Sequence, residues 1–399
     1  MRKRLFAVLI VALGLWALGQ EVTITFWHAM GRAHGPFLEE LVQKFMKENP
    51  GIKVELVYQG GYGALQQKLV AAVAAGTPPT IAQQYENWTV TWLDALVDLD
   101  LFLPEELLAD LHPAFMQYFE GRLVTVPFNK SVIVLVYRPD LVPEPPRTWE
   151  EFLAVVEKIG KDEAKQLYAT GFRPPNPEMF LTFLAQAGGA ILSEDWTQVT
   201  INNEAGLEAA EFVAKLAPYA LVQSGYINEA MAAGANIALW LDTSAGWPYN
   251  VSAAQERGVP IAVTTVPCHK TCDSMIQGTN LAIFSMNQSL EQIKAAARLI
   301  EFLLRADNIV YWAKMSGYLP VTMSAIESEE WKAYMEESPI AKASTEQLLA
   351  GAFQQLLHPR YMDIRNVLIT YWELLLTGEI SPKEFVDGLA AEIEAIIRE

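Results

Sequence analysis

The first quarter of the chain switches repeatedly between strand and helix periodicity. Apolar residues follow strand spacing in three segments and recur at intervals of three and four in two others. The strand-like segments are 21–27, 52–58 and 80–84, and the helical segments are 37–46 and 64–75. This β-α-β-α-β order predicts a mainly parallel sheet covered by helices, in which ligands bind at the carboxyl ends of the strands.

Residues 123–137 interrupt this alternation. Two extended runs, 123–126 and 132–137, flank residues 127–131 (PFNKS), and no helix fits between them. We therefore expect the chain to cross from one lobe into another at this segment.

The rest of the chain mixes helices with short strands. A capping box, T-x-x-E at 148–151, opens one helix, and residues 237–241 and 261–266 return as strands. A helix is predicted around 290–304, and the last helix opens with a capping box at 381–384 that has proline at its first helical position. These patterns predict two α/β lobes joined by several crossings.

Composition describes a folded protein and excludes several classes. The chain has 399 residues, of which 51% are hydrophobic and 19% charged, and this length suggests two or three domains. Lys and Arg number 29 against 47 Asp and Glu, so the formal net charge is −18. Binding to nucleic-acid phosphates needs a basic surface, and the acidic balance argues against polymeric nucleic acid as a partner.

Residues 1–19 have the features of a secretory signal peptide. Residues 2–4 (RKR) precede an apolar run at 5–16, and residues 17–19 (ALG) supply small side chains for cleavage after Gly19. A membrane anchor is the alternative, but the run is shorter than the roughly 20 residues of a spanning helix. We expect a soluble periplasmic protein, whose charge changes from −18 to −21 when the three basic residues are removed.

Two cysteines enclose a short loop after the strand-like segment 261–266. Cys268 and Cys272 are separated by His269, Lys270 and Thr271. In an oxidising compartment a disulfide between them is the favoured interpretation. A metal site with His269 as third ligand is the alternative, and it lacks a fourth ligand nearby in the sequence.

Motifs of catalysis are scarce in this sequence. G-x-S-x-G, H-E-x-x-H and G-x-x-x-x-G-K-[ST] are absent, and residues 60–63 (GGYG) do not match G-x-G-x-x-G. Among the histidines only His28 and His34 are close in sequence, which is a weak indication of zinc. The 47 acidic residues make nearby carboxylate pairs uninformative about glycosidase chemistry. No catalytic residue, metal or cofactor is predicted.

Aromatic residues are abundant, with 11 Trp, 14 Tyr and 17 Phe. Several lie in predicted loops rather than at core-periodic positions, next to Gly, Asn or Ser. Flat aromatic faces suit sugar rings, bases and quaternary ammonium groups, although core packing is the alternative role for each. The five loop aromatics are Trp27, Trp88, Trp247, Tyr249 and Tyr318.

Short motifs in a fixed order resemble the bacterial extracellular solute-binding proteins of ABC importers. Residues 26–30 (FWHAM), followed by a glycine turn and an amphipathic helix, open many members of this family. The most similar branch binds sn-glycerol-3-phosphate and glycerophosphodiesters, and the resemblance spans nearly all of the mature chain. The other matching segments are 58–62 (YQGGY), 76–79 (GTPP), 84–86 (QYE), 127–131 (PFNKS), 146–149 (PRTW), 316–322 (SGYLPVT) and 364–365 (IR).

The resemblance implies an α/β fold of two lobes, the type II periplasmic-binding-protein or Venus-flytrap architecture with several hinge crossings. It places the first lobe at residues 20–129 and 281–330 and the second at 130–280 and 331–399. A ligand is trapped as the lobes close, and the protein delivers it to the transmembrane permease subunits of an importer. The family implies no catalysis and a monomer.

The resemblance also implies ligand contacts, carried over position by position. Arg365 would hold a phosphate through two N–H groups, or would pair only with a surface acid such as Asp363 or Glu373. Glu86 would accept hydrogen bonds from ligand hydroxyl groups, or would simply be solvated. The full set is Tyr62, Glu86, Ser131, Ser244, Gly278, Tyr318 and Arg365.

One departure from the branch bears on the ligand. The branch carries a Trp-rich stretch near Gly171, where this chain has Phe172 and Arg173, with Trp88 and Trp247 in neighbouring loops. We expect these four residues to contact the ligand, which would be a phosphorylated glycerol derivative, a related phosphodiester or a nucleotide-like molecule. A carbohydrate ligand on the same fold and a secreted phosphodiesterase are the alternatives.

Overall fold

A computed structural model describes residues 21–31 and 33–398 of the protein. The predicted signal peptide at 1–19 lies outside these residues. Within the described part of the chain, no helix is both long and apolar enough to cross a membrane.

The strands follow the sequence pattern in the first lobe and become short and scattered in the second. Their bounds are β1 (Val22–His28), β2 (Ile52–Tyr58), β3 (Ile81–Gln84), β4 (Val126–Tyr137), β5 (Lys161–Asp162), β6 (Leu167–Tyr168), β7 (Thr170–Phe172), β8 (Ala220–Val222), β9 (Asn236–Ile237), β10 (Leu239–Thr243), β11 (Ala262–Thr264), β12 (Ser274–Ile283) and β13 (Ala352–Phe353).

Helices cover the sheets on both sides of the molecule. Their bounds are α1 (Gly35–Glu48), α2 (Tyr62–Ala74), α3 (Glu86–Thr89), α4 (Glu105–Asp110), α5 (Trp149–Ile159), α6 (Glu178–Gln186), α7 (Glu204–Leu216), α8 (Ile227–Ala232), α9 (Trp247–Arg257), α10 (Leu290–Leu304), α11 (Ala306–Ser316), α12 (Met323–Ile326), α13 (Glu329–Glu337), α14 (Pro339–Ala350), α15 (Tyr361–Thr377) and α16 (Pro382–Arg398).

The main sheet has the order β10-β4-β12-β3-β1-β2, with β11 beside β4 and β13 beside β12. The predicted β-α-β-α-β unit is confirmed, because β1 pairs in parallel with both β2 and β3. The prediction of a mainly parallel sheet is wrong beyond this unit. β12 pairs antiparallel with β3 and β4, since it carries the chain back from the second lobe towards the first.

β4 and β12 are the crossing strands that serve both lobes. The sequence indicated two extended runs around residues 127–131, whereas β4 is one continuous strand through that segment. The register of β12 on β4 shifts between Thr279 and Asn280, and Gly278 lies opposite Lys130. Gly278 has a φ of +106°, and a Cβ there would come within 1.8 Å of the Asn129 carbonyl oxygen. This crossing point therefore requires glycine.

Two hydrophobic cores lie on opposite faces of β4. Val132, Val134 and Val136 belong to the core that includes β1, α1 and α10. The alternate residues Ile133 and Leu135 belong to the core formed with α5, α6, α7, α15 and α16. Because side chains of a strand alternate between its faces, one buried strand ties both cores together.

Helix capping explains where several predicted helices begin. The helix predicted at 290–304 is confirmed, with the Ser289 hydroxyl accepting from the Gln292 N–H. At the last helix, Ser381 Oγ accepts from Glu384 N–H while the Glu384 carboxylate accepts from Ser381 N–H, a complete capping box. At α5 only half of the predicted box forms, because the Glu151 carboxylate accepts from Arg147 N–H instead.

The predicted disulfide is present between Cys268 and Cys272. The loop it closes is fixed to the second lobe, since Cys268 N–H donates to the Arg147 carbonyl at 2.8 Å. The His269 ring stacks on Trp149 at 4.3 Å, and its Nε2 lies 2.9 Å from a Glu208 oxygen. His269 therefore packs against the lobe and pairs with a carboxylate.

Candidate functional site

A cleft of about 520 Å³ lies where the crossing strands pass between the lobes. Both lobes and the crossing strands contribute to its lining. The lining residues are Tyr62, Gly63, Gln66, Tyr85, Asn87, Trp88, Ser131, Arg173, Pro175, Asn176, Glu178, Tyr226, Asp242, Thr243, Ala245, Gln277, Gly278, Tyr318, Gln355, Tyr361, Met362 and Arg365.

The first lobe presents an aromatic wall, which we define as Tyr62, Tyr85, Asn87 and Trp88. These residues follow strand ends, because Tyr62 begins α2 after β2, and Tyr85 directly follows β3. The Tyr85 ring lies 4.9 Å from the Tyr62 ring and 5.0 Å from the Trp88 ring. Burial raises the pKa of Tyr62 and of Tyr85, so both phenols stay protonated and can donate.

Hydrogen bonds join the aromatic wall to the crossing strands. Asn129 Nδ2 donates to Tyr62 Oη at 3.1 Å, and Asn129 Oδ1 accepts from Thr279 Oγ1 at 2.6 Å. Tyr62 Oη also lies 3.5 Å from Tyr318 Oη. These bonds fix the Tyr62 ring in the absence of any ligand contact.

The second lobe presents a charged wall, which we define as Arg173, Glu178, Asp242 and Arg365. Arg365 donates to Glu178 through Nε at 2.7 Å and through Nη2 at 3.2 Å. Its Nη2 also donates to the Pro175 carbonyl at 3.0 Å. Burial alone would lower the pKa of Arg365, but the charge and hydrogen bonds of Glu178 outweigh it and raise that pKa.

Arg173 and Asp242 complete the charged wall with partners of their own. The Arg173 guanidinium lies 3.8 Å from the centroid of the Tyr226 ring, and its Nε donates to the Gly225 carbonyl. The Asp242 carboxylate accepts from Thr243 N–H at 2.8 Å and from Asn250 Nδ2 at 2.7 Å. Burial raises the pKa of Asp242, and these hydrogen bonds oppose that shift.

Two lining residues carry buried polar atoms without a hydrogen-bond partner. These atoms are Tyr361 Oη and Asn87 Oδ1. Burial raises the pKa of Tyr361, so its phenol is a donor, while the amide oxygen of Asn87 is an acceptor. Buried polar groups in folded proteins are nearly always hydrogen-bonded. The Tyr361 hydroxyl and the Asn87 amide oxygen would therefore suit a ligand that carries both an acceptor and a donor.

Seven of the residues expected at the ligand line this cleft. They come from both lobes and from both crossing strands. The seven are Tyr62, Trp88, Ser131, Arg173, Gly278, Tyr318 and Arg365. Arg365 lies on α15, and its partner is Glu178, which is 187 residues away, rather than Asp363 or Glu373.

The other four expected residues lie outside the lining. Glu86 pairs with Lys130, and neither side chain is more than 3% exposed. Phe172 packs edge-on against Trp372 in the second core. Ser244 is fully buried, and its hydroxyl accepts from Val132 N–H. Trp247 begins α9 rather than lying in a loop, and it packs against the first core.

Lys130 and Glu86 form a buried ion pair at the crossing strand. Burial lowers the pKa of Lys130, and the neighbouring Glu86 charge works in the opposite direction. Lys130 directly precedes the lining residue Ser131, and Glu86 directly precedes the lining residue Asn87, so the ion pair joins the crossing strand β4 to the segment that carries the aromatic wall. Both residues of the pair lie outside the cleft lining.

The sequence did not predict several of the lining residues. Glu178 and Asp242 gave no signal, because single acids among 47 are indistinguishable by pattern. Tyr361 could have been found, because it lies four residues before Arg365 on one helix and therefore on the same face. Within residues 21–31 and 33–398, no group of His, Cys, Asp and Glu could hold a metal ion.

Comparison with known families agrees with this architecture. The bacterial extracellular solute-binding protein family matches residues 40–337, well over half of the chain. The chain belongs to this family. It is a solute-binding protein of ABC importers, a class that binds small molecules and works with permease subunits.

Curated relatives within the family have been named for one ligand. The sn-glycerol-3-phosphate-binding periplasmic protein UgpB of Pectobacterium atrosepticum is 25% identical, and the alignment covers 97% of this chain and 94% of the relative. The protein of the same name from Escherichia coli K12 is 27% identical, with 97% and 96% covered. These relatives are binding proteins rather than enzymes.

Solved structures show the same two-lobe fold with different ligands. The cyclic α-maltosyl-1,6-maltose-binding protein of Arthrobacter globiformis has a TM-score of 0.83 at 21% identity, covering 94% of this chain and 99% of that one. UgpB of Mycobacterium tuberculosis, solved with glycerophosphocholine, has a TM-score of 0.81 at 20% identity, covering 94% and 98%. At these identities the likeness shows the two-lobe fold alone.

Proposed function

We propose that this solute-binding protein captures a phosphorylated glycerol derivative or a related phosphodiester and delivers it to an ABC permease from the periplasm. The observation that carries the proposal is that Arg365 and Tyr361 lie on the same face of α15 and both line the cleft. Glu178 and Pro175 accept from Nε and Nη2 of Arg365, and the Tyr361 phenol lies near the same guanidinium without a well-formed hydrogen bond, so a phosphate at this position would accept from both side chains.

The rest of the cleft suits the remainder of such a ligand. Asn87 Oδ1 would accept from a glycerol hydroxyl, and the Ser131 hydroxyl, 2.8 Å from Thr243 Oγ1, would donate to a phosphate oxygen. The rings of Tyr85 and Trp88 would cover the apolar face of the glycerol or of a flat base in a nucleotide-like phosphodiester. The names of the curated relatives support the same class of ligand.

Capture would follow from closure of the lobes around the crossing strands. The proposed lobes are residues 20–129 with 281–330 and residues 130–280 with 331–399, and a bound ligand would touch both. Because the ligand gains contacts with the second wall only when the lobes are closed, it would favour the closed form. We propose that the protein acts as a monomer.

A neutral carbohydrate is the second candidate ligand. One observation favours it: Arg365 already has a carboxylate partner in Glu178, so the cleft holds no unbalanced positive charge at that position. An aromatic wall with hydrogen-bonding amides is also typical of sugar sites. Several neighbours of the same fold have been solved with sugars, among them a maltose/maltodextrin-binding domain from Bdellovibrio bacteriovorus with maltotriose.

Mass spectrometry of the released ligand tests the proposal directly. Freshly purified protein is denatured, the small molecules are separated, and the same protein refolded after exhaustive denaturing dialysis serves as the control. A phosphorus-containing species in the first sample and not in the second is the expected result, and its mass separates a glycerophosphodiester from a nucleotide. A hexose or an oligosaccharide would contradict the phosphate assignment and favour the second candidate.

A further inference from the structure

The lining of the cleft is balanced in charge, with its charges concentrated on the second lobe. Arg173 and Arg365 contribute two positive charges, and Glu178 and Asp242 contribute two carboxylates. Among the described lining residues the aromatic wall adds no charged side chain. A ligand that enters this cleft therefore meets no excess of positive charge.

Glu178 is the carboxylate that pairs directly with Arg365, the residue proposed to hold the phosphate. Both of its oxygens accept from Arg365, and its side chain is only 8% exposed. Such a bidentate pair is rigid, so it fixes the Arg365 fork and cancels much of its field at short range. A phosphate that binds to the remaining edge of Arg365 must lie near a carboxylate as well.

The number of charges on the phosphate then decides how well it fits. A phosphomonoester carries between one and two negative charges near pH 7, because its second pKa is near 6. A phosphodiester has lost that second acidic group and carries a single charge. Because Glu178 and Asp242 balance the two lining cations Arg173 and Arg365, the additional charge of the monoester meets no excess of positive charge in this lining, and the two carboxylates repel it.

We propose that Glu178 is a specificity-determining residue that makes the cleft select a singly charged phosphodiester over a dianionic phosphomonoester. The inference rests on the proposed function, since it assumes that a phosphate binds beside Arg365. Glu178 acts in two ways, by holding the guanidinium in one orientation and by removing the excess positive charge that a dianion needs. Asp242 contributes the second carboxylate without touching Arg365.

Calorimetric titration of three probes tests this inference. The probes are glycerophosphocholine, glycerophosphoglycerol and sn-glycerol-3-phosphate, and the proteins are the natural chain, Glu178→Gln and the control Glu392→Gln. Glu392 is an exposed acid on α16, so the control makes the same change of charge outside the lining. The natural chain should bind both diesters about tenfold or more tightly than the monoester, the size expected from one unmatched charge at partial burial.

Glu178→Gln should reduce the ratio of the monoester Kd to the diester Kd about tenfold, and Glu392→Gln should leave this ratio unchanged. Asp242→Asn removes the other lining carboxylate and keeps the Arg365–Glu178 pair, so it should also reduce the ratio of the two Kd values. This variant tests the inference even if Glu178→Gln disturbs the fold, and the Tm of each variant shows whether the fold is disturbed. Equal binding of all three probes by the natural chain, or an unchanged ratio in both variants, overturns the inference while the proposed function stands. Binding of none of the three probes, together with the release of no phosphorus-containing molecule from the denatured protein, overturns both.

Discussion

The aromatic wall of the first lobe offers rings and one amide, whereas the charged wall of the second offers two guanidinium groups and two carboxylates. The first wall is held by its own packing and by the bond from Asn129 to Tyr62. The second is held by ion pairing and by hydrogen bonds to backbone carbonyls, as at Arg365 and Arg173.

The difference separates two tasks of recognition. Ring faces tolerate many ligand shapes, because stacking has little directional demand and every flat or apolar surface offers a face. Charged groups discriminate sharply, because an unmatched charge in a partly buried site is costly. Recognition of ligand shape by one wall and of ligand charge by the other can therefore change independently in evolution. This independence suits a fold whose members bind many different ligands.

The largest expected effect tests what supports the aromatic wall. Glu86→Gln leaves the fully buried Lys130 ammonium without its carboxylate, and breaking such a pair costs about 3–5 kcal/mol. Chemical denaturation should show this loss in the free energy of unfolding.

Replacing both partners distinguishes support from ligand contact at the same position. The double variant Glu86→Leu/Lys130→Met removes both charges together, so it should regain most of the stability lost by Glu86→Gln. A stable Glu86→Gln protein that binds ligand weakly would instead mean that Glu86 touches the ligand, and the wall would then carry charge of its own.

The next effect tests the charged wall. Arg365→Ala should weaken binding of a phosphodiester by about 2–5 kcal/mol, because the phosphate would lose its charged partner in a partly buried site. Calorimetry measures the loss, and Arg298→Ala, an exposed arginine on α10, is the matched control.

Arg365→Ala also leaves Glu178 buried without its cation, so its effect on folding has to be separated from its effect on binding. The double variant Arg365→Ala/Glu178→Gln removes that unpaired charge and should recover stability without recovering affinity. Unchanged affinity in either variant would favour a neutral ligand and would contradict a phosphate contact on this wall.

The two walls also differ in how far the sequence predicts them. The aromatic wall comes from residues 62–88, directly after strands whose periodicity was clear, so its position at the strand ends followed from the β-α-β-α-β order. The charged wall is assembled from α6, β10, α15 and the loop before α6. The pairing of Arg365 with Glu178 spans 187 residues, and no local pattern encodes a contact of that kind.

The crossing strands show the same limit at close range. The sequence located the crossing at residues 127–131, but it gave no reason to expect that the lysine there would be fully buried, since lysine is almost never buried unless it is paired. Only the fold brings Glu86 to Lys130. The resemblance implies a ligand contact for Glu86, and in the structure Glu86 lies outside the cleft lining and pairs with Lys130.

The smallest expected effects compare one phenol from the aromatic wall with one from the second lobe. Tyr62 Oη accepts from Asn129 Nδ2, so Tyr62→Phe leaves a buried amide donor unpaired and should lower the free energy of unfolding by about 1–3 kcal/mol. Tyr361 Oη has no partner among the described residues, so Tyr361→Phe should leave the stability of the ligand-free protein unchanged or slightly higher.

Affinity should show the reverse order. Tyr361→Phe removes a donor to a charged phosphate and should weaken phosphodiester binding by about 1.5–3 kcal/mol, whereas Tyr62→Phe keeps the ring face and should weaken it less. Denaturation and calorimetry on the same two variants measure both quantities. A loss of stability in Tyr361→Phe with no loss of affinity would mean that this phenol serves the fold, and the unpaired oxygen would then not mark the position of the ligand.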